Sequence, residues 1–164
     1  MNDEVIRLTL EQEGAYAFRV SFDGTTLAAL HTDESPPLGG GAGPNPSALL
    51  LAGIANCLSA SLLFALRKFH DMPGTIRTEI VARKTRNAAG RWRIPHAEVS
   101  IHLSDKAAAL PHFERVLAQF EQFCIVTQSV REGIAVDVHI VDADGAIWIP
   151  LTPSEGGPSR DTAG

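Results

Sequence analysis

The stretch that decides the fold is residues 45–69, NPSALLLAGIANCLSASLLFALRKF, which is apolar over most of its length. Asn45 is a favourable N-cap residue. Pro46 suits the first helical position, because proline there lacks only an N–H that would have no partner. The Pro73-Gly74 pair marks the far end. This stretch therefore predicts a long helix over about residues 47–69.

Apolar side chains cover every face of this predicted helix. Such a helix is buried on all sides, which one small sheet cannot achieve, so a second subunit is expected to cover part of it. The run is also long enough for a membrane span. Asn56, Ser59 and Ser61 within it, and amphipathic segments on both sides, favour a buried helix instead.

The segments around the helix alternate between apolar and polar residues, which is typical of half-buried strands. Residues 5–30 predict a three-stranded antiparallel meander, with turns at Glu13-Gly14 and Asp23-Gly24 and a third strand at residues 25–30. Residues 31–46 then have the composition of a loop.

Two further segments after the helix form another predicted hairpin, turned at residues 87–90. A stripe with helical spacing predicts one amphipathic second helix, formed by Leu110, Phe113, Leu117, Phe120 and Cys124. A last strand is expected at residues 134–140. This order of elements indicates an α+β fold and leaves no room for a βαβ series.

The composition limits the class of protein. The 164 residues, 45% of them hydrophobic, fit a single domain over residues 1–150, followed by a polar, mobile tail at 151–164. The formal net charge of −5 disfavours nucleic acid as a partner. The N-terminus has neither the basic start nor the apolar run of a signal peptide, so a cytoplasmic location is expected.

Several kinds of chemical site are disfavoured. The glycine-rich residues 39–43 match neither phosphate-binding pattern, and the histidines lack paired metal-ligand spacing. Ser59 and Ser61 lie outside any Gly-x-Ser-x-Gly motif. The two cysteines, Cys57 and Cys124, are too few for a disulfide scaffold, so they are either inert core residues or the reactive groups.

Four motifs give the chain a resemblance to the OsmC/Ohr family, and the stretch Asp33-Glu34-Ser35-Pro36-Pro37-Leu38-Gly39-Gly40 is similar to a lesser-characterised branch of it. The motifs are Gly43-Pro44-Asn45-Pro46, Leu49-Leu50-Leu51-Ala52, Ala55-Asn56-Cys57 and Phe123-Cys124-Ile125-Val126. The resemblance extends from about Val5 to Val141. It implies antiparallel strands around a long buried helix, with a second helix, in an intertwined homodimer whose active sites lie at the subunit interface.

The resemblance also implies an activity, that of a thiol-dependent peroxidase for small organic hydroperoxides. Cys57 would be the peroxidatic thiol and Cys124 the resolving thiol, regenerated by a dithiol reductant. Arg19 would stabilise the Cys57 thiolate, with Arg7 as an alternative, since Cys57 lies roughly 16 Å inside its helix and beyond the reach of the helix dipole. No metal, flavin or haem is required, and neither a membrane nor nucleic acid is expected as a partner.

An apolar wall is expected to favour organic hydroperoxides over hydrogen peroxide, and it would comprise Leu58, Leu62, Phe64, Phe120 and Phe123. The chain departs from the family at two places. Ser47-Ala48 replaces a glutamate that holds the arginine, and Ile125 replaces a proline after the second cysteine. A less activated thiolate is one consequence. The alternative function is an OsmC-fold dimer without robust peroxidase activity that binds a small apolar ligand at the interface, and inert core cysteines are the third possibility.

Overall fold

The computed structural model describes residues 3–71, 73–134, 136, 138–141, 144 and 147–148. The chain divides into two compact units, residues 1–131 and 132–164. The domain over residues 1–150 stays a prediction, and the tail at 151–164 lies outside the described residues.

Strands come first, then a long helix, a hairpin and a group of short helices. The elements are β1 (Leu8–Gln12), β2 (Phe18–Phe22), β3 (Leu30–Thr32), α1 (Pro46–Lys68), β4 (Ile76–Ala82), β5 (Thr85–Arg86), β6 (Trp92–Arg93), β7 (Ala97–Leu103), 3-10 turns at Ala107–Ala109 and Phe120–Phe123, α2 (Phe113–Leu117), α3 (Ile125–Glu132), β8 (Ile140–Val141) and β9 (Ile147–Trp148). This architecture confirms the predicted α+β class.

The N-terminal strands form the predicted antiparallel meander in the order β1-β2-β3. The prediction for the third strand was wrong, because it begins at Leu30 rather than at Thr25. After the Asp23-Gly24 turn the chain runs unpaired until Leu30 lies opposite the buried Val20. The register of β3 is set by its pairing with β2, which has the buried side chain of Val20. The alternation of residues 25–30 does not set it.

The long helix α1 has the predicted ends. The Asn45 side chain accepts a hydrogen bond from the N–H of Ala48 at 2.9 Å, and Pro46 occupies the first turn. Phe69 closes the helix, and His70 beyond it has a positive φ of 62°. A capped start and a left-handed exit define the element that carries Cys57.

The core lies between α1, the β4–β7 hairpin and the segment from α2 to α3. Its buried apolar residues are Ile54, Leu58, Leu62, Ala65, Leu66, Leu110, Val116, Phe120 and Cys124. By length and composition α1 is the one described helix that qualifies as a membrane span, yet it supplies five residues of this core. In the single chain Leu50 and Phe64 of α1 are 44% and 59% exposed, so burial of the remaining faces by a second subunit stays a prediction.

The second helix was predicted as one continuous element, and this was wrong. The segment breaks after Leu117 into a 3-10 turn, and a separate helix α3 follows Cys124. Val116 is fully buried, whereas Leu117 of the predicted stripe is 48% exposed. Val116, Phe120 and Cys124 all face the core, so Val116 takes the buried position that the pattern assigned to Leu117.

The loop ahead of α1 is held by Asp33, whose side chain is almost fully buried. Its carboxylate accepts hydrogen bonds from the N–H groups of Glu34, Gly40 and Ala42 at 2.8, 2.9 and 3.1 Å. A Cβ at Gly39 would overlap this carboxylate, so the close approach requires glycine. The loop is therefore an ordered connection between β3 and α1.

In the second unit, β8 and β9 pair as a short antiparallel hairpin. The last strand was predicted at residues 134–140, but among the described positions it begins only at Ile140. Residues 135 and 137 lie outside the described residues.

Candidate functional site: a buried thiol pair

The structure brings together the two cysteines, which are 67 positions apart in the sequence. Cys57 lies in the middle of α1 and is half-buried, and Cys124 is fully buried at the end of the 3-10 turn. Cys57 packs against the core cluster that contains Cys124, and their side chains interact. Both are free thiols.

Cys124 is the N-cap residue of α3. Its carbonyl accepts the N–H of Gln128 at 3.0 Å, which is the first bond of the helix. Its Sγ lies 3.0 Å from Oγ1 of Thr127 and also meets the N–H of Thr127. The sulfur thus occupies the place of a capping oxygen, opposite the third residue of the helix.

Their surroundings shift the two thiols in opposite directions. Burial raises the pKa of Cys57, and its hydrogen bond to Cys124 raises it further. Burial also opposes ionisation of Cys124, but hydrogen bonds from Cys57, from the hydroxyl and N–H of Thr127 and from Ser61 outweigh it, so the pKa of Cys124 is lowered. The two sulfurs are therefore close enough that ionisation of one opposes ionisation of the other.

Two hydroxyl residues complete the site, and sequence reasoning missed both roles. Ser61 follows Cys57 by one helical turn, so its buried hydroxyl faces both sulfurs. Thr127 follows Cys124 at capping distance. Two sequence signals could have identified α3. The Cys-x-x-Thr spacing marks its start, and Gly133, which has a positive φ of 78° just beyond Glu132, marks its end.

Arg19 lies elsewhere in the chain, on strand β2. Its guanidinium forms ion pairs with Glu11 and with Glu13, the latter at 3.5 Å, and bonds the hydroxyl of Ser21. The acidic partners of Arg19 thus come from the adjacent strand and turn. The start of α1, where the family has a glutamate, carries Ser47-Ala48 in this chain. Activation of Cys57 by Arg19 therefore stays a prediction.

A cavity of about 620 Å³ lies beside Thr127, and neither cysteine is among its lining residues. Leu58 and Phe120 line it, together with Val99 of β7, and Thr127 belongs both to the cavity and to the surroundings of Cys124. His96 and Arg131 add polar groups to its lining. Its volume and its mixed apolar and polar lining suit a small organic molecule.

Of the expected apolar wall, only Leu58 and Phe120 line this cavity. Leu62 is buried in the core, and Phe64 and Phe123 are more than half exposed. Lys68 lies 5.8 Å from the centre of the Phe123 ring. Within the described residues, no group of three or more histidine, cysteine, aspartate or glutamate side chains is placed to hold a metal ion.

The fold and this site define a class of protein. It is an α+β protein in which a long central helix and a later helical segment each carry one of two neighbouring thiols. The model of the OsmC-like protein family matches residues 39–139, and the chain belongs to that family. By sequence, no curated protein matches the chain.

Solved structures share the fold. An OsmC-like protein from Mycoplasma pneumoniae is 14% identical with a TM-score of 0.63, over 79% of this chain and 89% of that one. The organic hydroperoxide resistance protein OsmC of Legionella pneumophila is 15% identical with a TM-score of 0.60, over 80% and 92%. An organic hydroperoxide resistance protein of Elizabethkingia anophelis is 19% identical with a TM-score of 0.57, over 81% and 92%.

Proposed function

We propose that this protein is a thiol-dependent peroxidase that reduces organic hydroperoxides, with Cys57 as the attacking thiol and Cys124 as the resolving thiol. The observation that carries the proposal is the unequal exposure of an interacting pair. Cys57 is partly open, so a peroxide can reach it, whereas Cys124 is fully buried beside it. The names of the Legionella and Elizabethkingia proteins support the same chemistry.

The reaction needs only the two sulfurs and an external reductant. The Cys57 thiolate attacks one peroxide oxygen, the O–O bond breaks, and the leaving alkoxide takes a proton to become an alcohol. Cys57 is then a sulfenic acid, which Cys124 converts to a disulfide with release of water. A dithiol reduces this disulfide and is itself oxidised to a disulfide, which restores both thiols.

Subunit pairing is part of the proposal. Leu8 and Leu10 of β1 and Leu50 and Phe64 of α1 are large apolar side chains left exposed in the single chain. Because each is about half exposed, burying it stabilises an interface by about 1 kcal/mol. A homodimer covers these faces, and Arg19 then approaches the thiols of the second copy. A cytoplasmic location stays an expectation.

Peroxide consumption by purified protein tests the activity. With a dithiol reductant, the native chain is expected to consume an organic hydroperoxide at a saturable rate and Cys57→Ser to lose this consumption. Cys124→Ser is expected to stop turnover after one equivalent. Ser59→Ala is the matched control. It removes a hydroxyl of α1 that is hydrogen-bonded to Thr78. Equal rates in the native chain and Cys57→Ser contradict the proposal.

A second candidate function is binding of a small apolar ligand without robust peroxidase activity. The cavity beside Thr127 favours it, as does the pairing of Arg19 with glutamates. Unsaturable peroxide consumption, together with an apolar molecule that co-purifies with the native chain, favours this second function. Replacing Leu58 by a larger residue would then displace the molecule.

A further inference from the structure

A strongly basic hairpin lies between β4 and β7, far from the thiols in the sequence. Residues 83–93, RKTRNAAGRWR, contain five of the chain's 14 lysines and arginines and none of its 19 acidic residues. The formal net charge of −5 for the whole chain therefore conceals an uneven distribution. A net negative charge disfavours a polyanionic partner only where no local basic patch exists. We call this segment the basic hairpin.

The basic hairpin is ordered by its own hydrogen bonds. Its two short strands, β5 and β6, pair antiparallel. In the turn between them, the side-chain oxygen of Asn87 accepts the N–H groups of Ala89 and Arg91 at 3.1 and 3.0 Å. Gly90 has a positive φ of 74°, and its N–H bonds the carbonyl of Asn87 at 2.8 Å. The charges thus lie on a defined ribbon, which loses little conformational freedom when a ligand binds.

The charges of the basic hairpin are open to an external anion. Its residues are exposed, except for the half-buried Asn87. In the part of the chain that the structure describes, no carboxylate forms an ion pair with Arg83, Lys84 or Arg91, whereas other arginines, such as Arg131, are paired with glutamate. These three cations therefore have no competing acidic partner among the described residues.

The one aromatic side chain of the ribbon orients one of its arginines. The Arg86 guanidinium lies 4.4 Å from the centre of the Trp92 ring and also donates a hydrogen bond to the carbonyl of Gly90. Trp92 remains 56% exposed. A planar guanidinium that is already oriented loses less freedom when it binds a phosphate.

The cations lie on both faces of the ribbon. Arg86 is opposite Trp92 in the strand pair, so the two share one face. Successive side chains of an extended strand alternate, so Arg91 and Arg93, which flank Trp92, point to the other face. Charge on two faces matches a ligand that has anions on two sides.

The geometry of the ribbon favours one polyanion over the others. A membrane is a plane of headgroups and meets only one face of a ribbon, whereas the phosphates of a duplex border a groove on both sides. The major groove of B-form DNA is about 12 Å wide and admits a two-stranded ribbon. The major groove of A-form RNA is deep and narrow and does not.

We propose that the basic hairpin binds double-stranded DNA by entering its major groove, with Arg83, Lys84 and Arg91 against the phosphates. Such contacts position a protein on DNA and carry no sequence preference. The rest of the chain is more acidic than the net charge of −5 suggests and repels DNA, so the contact is confined to the hairpin. This inference goes beyond the proposed peroxidase function and does not depend on it.

Fluorescence anisotropy of a short labelled DNA duplex of mixed sequence, titrated with the reduced full chain, tests the proposal. The logarithm of the binding constant is expected to fall with the logarithm of the salt concentration, with a slope of about −0.9 for each phosphate that is neutralised. Three or four hairpin cations give a slope of about −3 to −4. At about 0.1 M salt, each of these contacts contributes a factor of about eight to the binding constant.

Charge-removing variants locate the contact. Arg83→Gln/Arg91→Gln is expected to weaken binding about 60-fold at about 0.1 M salt and to flatten the slope by about 2. Arg83→Lys/Arg91→Lys keeps the charge and is expected to retain most of the binding, which also controls for folding of the hairpin. Arg67→Gln/Lys106→Gln is the matched control, because it removes the same charge from exposed positions outside the hairpin and is expected to leave affinity and slope nearly unchanged.

Three results would overturn the inference. They are no change in anisotropy at low salt, an equal loss of binding in the two glutamine double variants, and hairpin-dependent binding to phosphatidylserine vesicles or to duplex RNA without binding to DNA. Peroxide consumption is a separate reading, and Arg83→Gln/Arg91→Gln is expected to keep the native rate. DNA binding without peroxide consumption refutes the proposed function alone.

Discussion

Oxidation by one equivalent of an organic hydroperoxide is expected to cross-link Cys57 to Cys124 and to raise the free energy of unfolding. The disulfide closes a loop of about 68 residues, and the lost entropy of the unfolded chain corresponds to about 4 kcal/mol at room temperature. The Cys124 thiol gives up the hydrogen bond that it donates to Thr127, which costs about 1 kcal/mol. The expected net gain is therefore about 3 kcal/mol.

Urea denaturation of the oxidised and reduced protein measures this gain. A slope of about 1–3 kcal/mol per molar converts about 3 kcal/mol into a midpoint shift of about 1–3 M. Cys57→Ser and Cys124→Ser, treated with the same peroxide, are the controls and are expected not to shift. Loss of both free thiols without a shift, or a disulfide between two copies of the chain, would refute the reasoning, because the prediction requires Cys57 and Cys124 of one chain to meet without rearrangement.

Three further predictions concern the frame around the thiols. Leu66 is fully buried, so Leu66→Ala is expected to lower the free energy of unfolding by about 2–5 kcal/mol in urea titrations. Asn45→Ala removes the cap bond to Ala48 and is expected to cost about 1 kcal/mol, with Asn45→Asp as the stabilising comparison. Backbone N–H groups, first that of Ala42, hold the pKa of Asp33 below its ordinary 3.8, so its contribution is present above pH 3.8 and is lost as pH falls through the folded pKa. Asp33→Asn is expected to flatten that acid-induced loss of stability, and an unchanged pH profile in this variant contradicts the assignment.

Local chemistry made the long helix predictable. Asn45, Pro46 and the apolar run act within a few residues of one another, and the observed helix begins and ends within one residue of the expected range. The meander and the β4–β7 hairpin were predictable for the same reason, because turn residues and alternation are local signals.

Long-range packing decided the elements that were predicted wrongly. The stripe that includes Leu117 indicates one helix, but the core accepts Val116 in place of Leu117, and the chain changes to a 3-10 turn before Cys124. The sequence suggested that the cysteines meet if their helices pack. It did not reveal that Cys124 directly precedes a separate helix, α3, and caps its start.

The segment ahead of α1 has the composition of a flexible linker, yet the Asp33 carboxylate clasps Gly40 and Ala42 and leaves no room for a side chain at Gly39. A glycine-rich segment of this kind is the usual choice for inserting a peptide, but here it is the wrong one. A reporter peptide placed among residues 34–43 would separate the carboxylate from its donors and loosen the start of the thiol-bearing helix. The exposed turn at residues 87–90, where Gly90 has open space around it, is the better position for such a graft.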